Sequence, residues 1–250
     1  MRLDKYLSKA LDLSRNEVRS LITDGLIKVN NQIIRKKDFY INEEADNVIY
    51  NDKVLEYREF VYYMLNKPAG YISANKDKEH KTVIDLLDIK KEVFVVGRLD
   101  IDTEGLILLT NNGEFAHNLT SPKHKVVKKY YVKSELNITQ KMIDMFESGL
   151  EIVDGSNNKY ITQAAKLEVI DEKQCYVYIS EGKFHQIKRM FEAIGNQVVY
   201  LKRISIGSLV LDESLKLGEY RMLTDEEVMK LKKWGIYELS TYAYWNTGVW

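Results

Sequence analysis

The run Gly97-Arg98-Leu99-Asp100-Ile101-Asp102-Thr103-Glu104-Gly105-Leu106 constrains this chain more than any other, because it sets charged side chains in a glycine-bounded loop between two apolar runs. Val93-Phe94-Val95-Val96 precedes the loop and Leu106-Ile107-Leu108-Leu109 follows it, and both read as buried strands. A loop held by two buried strands is a rigid mount. Arg98 and Asp100 on such a mount are placed for chemistry rather than for solvation. A hairpin with a turn-forming aspartate would give the same local pattern.

The chain has 250 residues, enough for one large domain or for a small one joined to a medium one. With 45% hydrophobic and 30% charged residues it reads as an ordinary soluble protein. No apolar run approaches the roughly 18 residues needed to span a bilayer. Charges in Met1-Arg2-Leu3-Asp4-Lys5 stand where a secretory signal needs its hydrophobic stretch, so a cytoplasmic location is expected. Cys175 is the single cysteine, which excludes an intramolecular disulfide and a multi-cysteine metal site. It reads as a small buried hydrophobe in the strand Cys175 to Ile179. His80, His117, His124 and His185 show no metal-ligand spacing, so neither a metal nor a cofactor is expected.

Formal charge is zero, so any nucleic-acid partner must be argued from where the charges sit. Leu3, Tyr6, Leu7, Ala10 and Leu11 share one helical face. Ser14-Arg15-Asn16-Glu17 forms a capping box that opens a second helix, with Val18, Leu21 and Ile22 inward and Gly25 as its stop. Leu26 to Val29 and Gln32 to Arg35 then read as a hairpin turned at Asn30-Asn31. Between Met1 and Lys37 nine basic residues face four acidic ones. Arg15 and Arg19, four apart, can point at one phosphate track; a merely solvated helix face is the plainer alternative.

From about Val61 the texture changes to strands and short helices without regular alternation, with a linker expected near Leu55 to Phe60. Strands are expected at Tyr62 to Leu65, Lys129 to Val132, Ala165 to Val169 and Cys175 to Ile179, and helices near Gln140 to Phe146, His185 to Ile194 and Thr224 to Trp234. Irregular alternation argues against a doubly wound parallel sheet, so the fold class is α+β with a mainly antiparallel mixed sheet. The aromatics Tyr242, Tyr244, Trp245 and Trp250 in the tail read as packing residues.

Four separated segments resemble the pseudouridine synthases, in the RsuA-type branch typified by a ribosomal small-subunit enzyme. They are Leu65-Asn66-Lys67-Pro68-Ala69-Gly70-Tyr71, the Arg98-Leu99-Asp100 loop, Thr120-Ser121-Pro122-Lys123-His124 with Lys128-Lys129-Tyr130, and Glu181-Gly182-Lys183-Phe184-His185-Gln186-Ile187-Lys188-Arg189-Met190. The basic opening resembles the alpha-L RNA-binding domain that precedes the catalytic domain in this branch. The resemblance implies an RNA-binding domain over residues 1–58 and a catalytic domain over 59–250.

The reaction it implies is isomerisation of a uridine in rRNA to pseudouridine, with no metal or cofactor, by a chain expected to act as a monomer. Wording around Gly97 to Thr103 looks most like the 16S enzyme, whether on free rRNA or an assembling subunit. The alternatives are a 23S rRNA enzyme, a non-catalytic assembly factor, and a metal-dependent phosphoryl-transfer enzyme using Asp100 and Asp102. The resemblance implies Asp100 as nucleophile, because a carboxylate adduct is reversible, with Asp102 as rival. Lys188, beside the apolar stripe Ile187, Met190, Phe191 and Ile194, is the cation expected to keep Asp100 ionised. Tyr130 would stack on the target uracil, with Tyr131 on the opposite side of the sheet. Arg98 would fill the space left by the flipped uridine. Arg189 and Lys67 are expected to contact RNA, as are Arg15 and Arg19, while His185 and Gln186 orient their loop.

Overall fold

The computed structural model describes residues 1–43, 45–55, 57–89, 91–153, 155 and 158–232. The aromatic tail and the end of the last expected helix lie outside them. The chain divides into two compact units after Glu59.

In the first unit α1 (Leu3–Leu11) and α2 (Arg15–Thr23) pack Leu3, Tyr6, Leu7, Val18 and Ile22 into one small core. The Ser14 side chain accepts from the Glu17 N–H while the Glu17 carboxylate accepts from the Ser14 N–H, a cap of roughly 1 kcal/mol. The hairpin of β1 (Ile27–Val29) and β2 (Gln32–Ile33) turns at Asn30 and Asn31, both left-handed. A second hairpin, β3 (Val48–Tyr50) and β4 (Lys53–Val54), extends it to a four-stranded sheet ordered β2-β1-β3-β4. The expected linker is partly folded onto this unit. Leu55 and Tyr57 pack against its core, and the Leu55 carbonyl accepts from the Tyr6 hydroxyl at 2.5 Å.

The second unit is built on β5 (Tyr62–Lys67), β6 (Phe94–Val96), β7 (Glu104–Thr110), β8 (Lys128–Ser134), β9 (Glu151–Val153), β10 (Lys159–Ile161), β11 (Lys166–Asp171), β12 (Gln174–Ile179), β13 (Val198–Ile206), β14 (Leu209–Val210) and β15 (Tyr220–Met222). Its helices are α3 (Gly113–Thr120), α4 (Gln140–Ser148) and α5 (Gln186–Ala193), with a further helical stretch over 225–232. The main sheet runs β11-β12-β8-β13-β7-β5-β15, with β14 on β13 and β6 on β7, while β9 and β10 form a separate ribbon. Among the described residues every pairing between these strands is antiparallel except β13 with β7. The α+β, mainly antiparallel expectation holds.

The sheet is covered unequally. Tyr130, Val132, Cys175 and Val177 point with α4 (Phe146) and α5 (Ile187, Met190, Phe191) into one core. On the other face Leu106, Leu108 and Ile206 meet Phe115 and Leu119 of α3 and Val228 and Leu231 of the 225–232 stretch. Burying each such side chain contributes about 1.5–3 kcal/mol. No helix among the described residues is long and apolar enough to cross a membrane.

Candidate active site

Residues 97–103 join β6 to β7, which pair antiparallel from Phe94 opposite Thr110 to Val96 opposite Leu108. Glycines bound the loop for two physical reasons. Gly97 takes φ +71, and Gly105 takes φ +98 where a Cβ would collide with the Arg203 backbone, because β13 runs in register beside it. Leu99 anchors the loop in the core, and the Ser73 hydroxyl both donates to its carbonyl (2.8 Å) and accepts from its N–H (2.9 Å).

Lys67, the last residue of β5, is wholly buried beneath this loop. Its Nζ donates to the carbonyls of Thr103 (2.8 Å), Asp100 (3.0 Å), Pro68 (3.1 Å) and Ile101 (3.2 Å). Burying an ammonium costs several kcal/mol. Hydrogen bonds from a charged donor, at about 1.5–3 kcal/mol each, are of a size to offset it. The expected RNA contact by Lys67 is therefore corrected: its ammonium is spent on the loop backbone. Burial pushes its pKa down to about 8 against the pull of Asp102, Asp100 and Glu104, and the nearby Arg203 adds to the depression.

The loop presents Asp100 to a cleft that Arg98, Tyr130, His185 and Ile187 also line. The Asp100 side chain is 23% exposed, with Lys188 Nζ and His185 Nε2 each 3.6 Å from its oxygens. Lys188 lies closer to Asp102, at 2.6 and 2.7 Å from its two oxygens, so it bridges both carboxylates where the sequence reading paired it with Asp100. Asp102 is 64% exposed and stands at the rim. Burial acts to raise its pKa, but the Lys188 hydrogen bond and charge outweigh it and hold the carboxyl below its ordinary value.

Tyr130 is buried in the cleft wall and Tyr131 faces the other side of the sheet. Behind Tyr130 lies Arg203, which sequence reasoning missed. It is 3% exposed, donates from Nε to the Leu106 carbonyl (2.7 Å), and sets Nη1 3.5 Å from the Tyr130 hydroxyl. Its only signal in the sequence is an arginine at an inward position of the alternating β13.

α5 is mounted by its own preceding turn. Buried Gln186 donates to Glu181 Oε1 (2.6 Å) and accepts from the Lys183 N–H (2.9 Å), which fixes His185 and Lys188 at the cleft. Arg189, expected on phosphate, donates to the Val153 carbonyl and lies with its guanidinium 5.2 Å from the Phe184 ring centre. That engages one of its five N–H donors and leaves the side chain half-buried, a position compatible with a phosphate contact. Arg98 is exposed at the cleft. In the first unit Arg15 is exposed, whereas Arg19 sits 3.7 Å from buried Asp4, which Arg2 also holds at 2.7 Å. Among the described residues no three Asp, Glu, His or Cys side chains converge as metal ligands do.

The RNA pseudouridylate synthase family matches residues 61–193, and the S4 domain matches residues 1–46. The chain belongs to the RNA pseudouridylate synthase family. Over 240 residues it is 41% identical to the uncharacterized RNA pseudouridine synthase YtzG of Bacillus subtilis, covering 93% of this chain and 99% of that one. Over 236 residues it is 39% identical to ribosomal small subunit pseudouridine synthase A of Haemophilus influenzae, covering 93% and 100%. A crystal structure of a pseudouridylate synthase matches with TM-score 0.66 and 38% identity, covering 92% of this chain and 99% of the other. The synthase match contains the Lys67 clamp, the 97–103 loop, Tyr130 and all of α5. Arg203 lies beyond it.

Proposed function

We propose that this pseudouridine synthase isomerises a uridine of 16S rRNA, acting as a cytoplasmic monomer with Asp100 as its nucleophile. The observation that carries the assignment is the contrast between two carboxylates on one loop. Asp100 lies recessed in the cleft beside Lys188, His185 and Tyr130, and Asp102 stands exposed at the rim. In this reading residues 1–58 anchor the RNA and 59–250 perform the chemistry.

The target nucleotide leaves its helix, at a cost of a few kcal/mol, and Arg98 at the cleft mouth occupies the vacated space. Asp100 attacks as a carboxylate and forms a reversible adduct while the N-glycosidic bond breaks. The uracil turns, C5 bonds to the ribose carbon, the C5 proton departs, and the carboxylate is released. Tyr130 supplies the stacking surface at the base. Lys188 and its bridge to Asp102 keep a positive charge beside Asp100 as RNA excludes water, opposing the upward pKa drift that desolvation brings. The name of the Haemophilus relative supports the small-subunit target.

Mapping pseudouridines in rRNA from cells with and without this protein tests the target. Loss of one 16S position is the expected result. Loss of a 23S position would favour the large-subunit alternative, and an unchanged map the non-catalytic one.

A further inference from the structure

We infer that the outward face of β11, β12, β8 and β13 is a second RNA-binding surface, on which unpaired bases of the substrate stack on tyrosines while lysines hold the phosphates. The inference rests on the reading of the chain as an RNA-acting enzyme and adds a site on the reverse side of the sheet from Tyr130.

Strand alternation creates this face. In β12 Cys175, Val177 and Ile179 enter the core, which leaves Tyr176 and Tyr178 half-buried on the reverse side. In β8 the same alternation sends Tyr130 inward and Lys129, Tyr131 and Lys133 outward. The register sets Tyr131 opposite both Tyr176 and Lys202, and Lys133 opposite Tyr200. The Tyr131 ring stands edge to face with Tyr176 at 6.1 Å and Tyr200 at 6.0 Å. Lys129 Nζ lies 3.6 Å from the Tyr176 ring centre, and Lys133 Nζ 5.8 Å from that of Tyr200.

No hydrophobic cluster among the described residues covers these tyrosines, since α4 and α5 pack on the opposite side and α3 packs over β7. The hydroxyls are tied at the rim, Tyr200 to Glu104 (2.6 Å), Tyr178 to Glu168 (3.0 Å) and Tyr131 to Gln174, which orients the rings. Charge complementarity selects the occupant. Lys129, Lys133 and Lys202 are interleaved with the rings; Lys166, beside Tyr178, lies 3.7 Å from Glu168, and Glu168 and Glu104 also accept from tyrosine hydroxyls. Aromatic faces alternating with ammonium groups on a sheet suit a single-stranded polyanion with planar bases. Tyrosines alone would also suit a protein partner, but lysines interleaved through the centre of the patch are depleted in protein–protein interface cores and favour a polyanion. An RNA long enough to pass the sheet edge would engage both faces.

The test uses the full-length protein and a fluorescent single-stranded oligoadenylate. It contains no uridine, so binding is read without turnover and stands or falls separately from the catalytic reading. Tyr131→Leu/Tyr176→Leu should weaken binding about tenfold or more. Lys129→Gln/Lys133→Gln should flatten the log–log salt slope by about 1.4. The charge-matched pair Lys141→Gln/Lys230→Gln, on exposed helical positions elsewhere, should leave affinity within about twofold of the parent, as single-strand contacts set the slope. Parent-like affinity in both face variants, with parent-like circular dichroism, would overturn the proposal. A lysine effect without a tyrosine effect would overturn the stacking platform as well. Ultraviolet cross-linking of the same oligonucleotide to the unaltered protein needs no variant to fold: adducts should map to residues 129–133 or 174–178, and adducts confined elsewhere contradict the site.

Discussion

At the scale of single residues, the loop that carries Asp100 owes its shape to Lys67 more than to its own sequence. One ammonium holds the carbonyls of Asp100, Ile101 and Thr103 together, and buried Ser73 holds Leu99. Lys67 has a folded pKa of about 8 against 10.5 for an unperturbed lysine, so between these pH values the unfolded chain binds more protons at this site. The contribution of this group to stability therefore rises with pH across that window. Lys67→Met should remove that rise, so melting curves of parent and variant between pH 8 and 10.5 should differ in slope. Parallel slopes would mean that Lys67 is not depressed. Turnover should fall strongly in Lys67→Met at any pH, because three loop carbonyls lose their donor. Nothing in the spacing of Leu65 to Tyr71 announces this burial, which is why the lysine read as an RNA contact. Asp100 was legible because it sits between glycines and apolar runs. Its distances to Lys188 and His185 depend on a helix more than eighty residues away and were not.

At the scale of elements, α2 shows how far a charge pattern carries. Its capping box and inward Val18 and Ile22 follow directly from Ser14 to Ile22. The two arginines on its outer side are not equivalent: Arg15 is exposed, whereas Arg19 is within 3.7 Å of Asp4. Arg15→Gln should therefore weaken rRNA binding more than Arg19→Gln. The double variant should flatten the salt dependence by up to about two counterion equivalents, with turnover at saturating RNA little changed. Binding isotherms over a salt series check this, and an unaltered slope would make α2 a solvated face. The second hairpin, β3 and β4, went unread because its strands are three and two residues long, although Asn51-Asp52 carries the left-handed turn that joins them. β13 is nine residues of alternating pattern and was legible in principle. Its parallel pairing with β7, which makes Gly105 necessary, is a long-range fact that no local pattern encodes.

At the scale of the whole molecule, the separated sequence segments are one physical object. The β5 end supplies the clamp, the 97–103 loop the carboxylates, β8 the tyrosine, and the turn before α5 the mount for Lys188. The sheet brings β5, β7, β8 and β13 side by side and so assembles them at one cleft. The central claim is that the recessed carboxylate, not the exposed one, attacks the uridine. Single-turnover pseudouridine formation on 16S rRNA by Asp100→Asn and Asp102→Asn tests it most directly. The account predicts no product from Asp100→Asn with RNA binding retained, and product from Asp102→Asn, in which Lys188 keeps Asp100 as its remaining carboxylate. Product from Asp100→Asn and none from Asp102→Asn would contradict it.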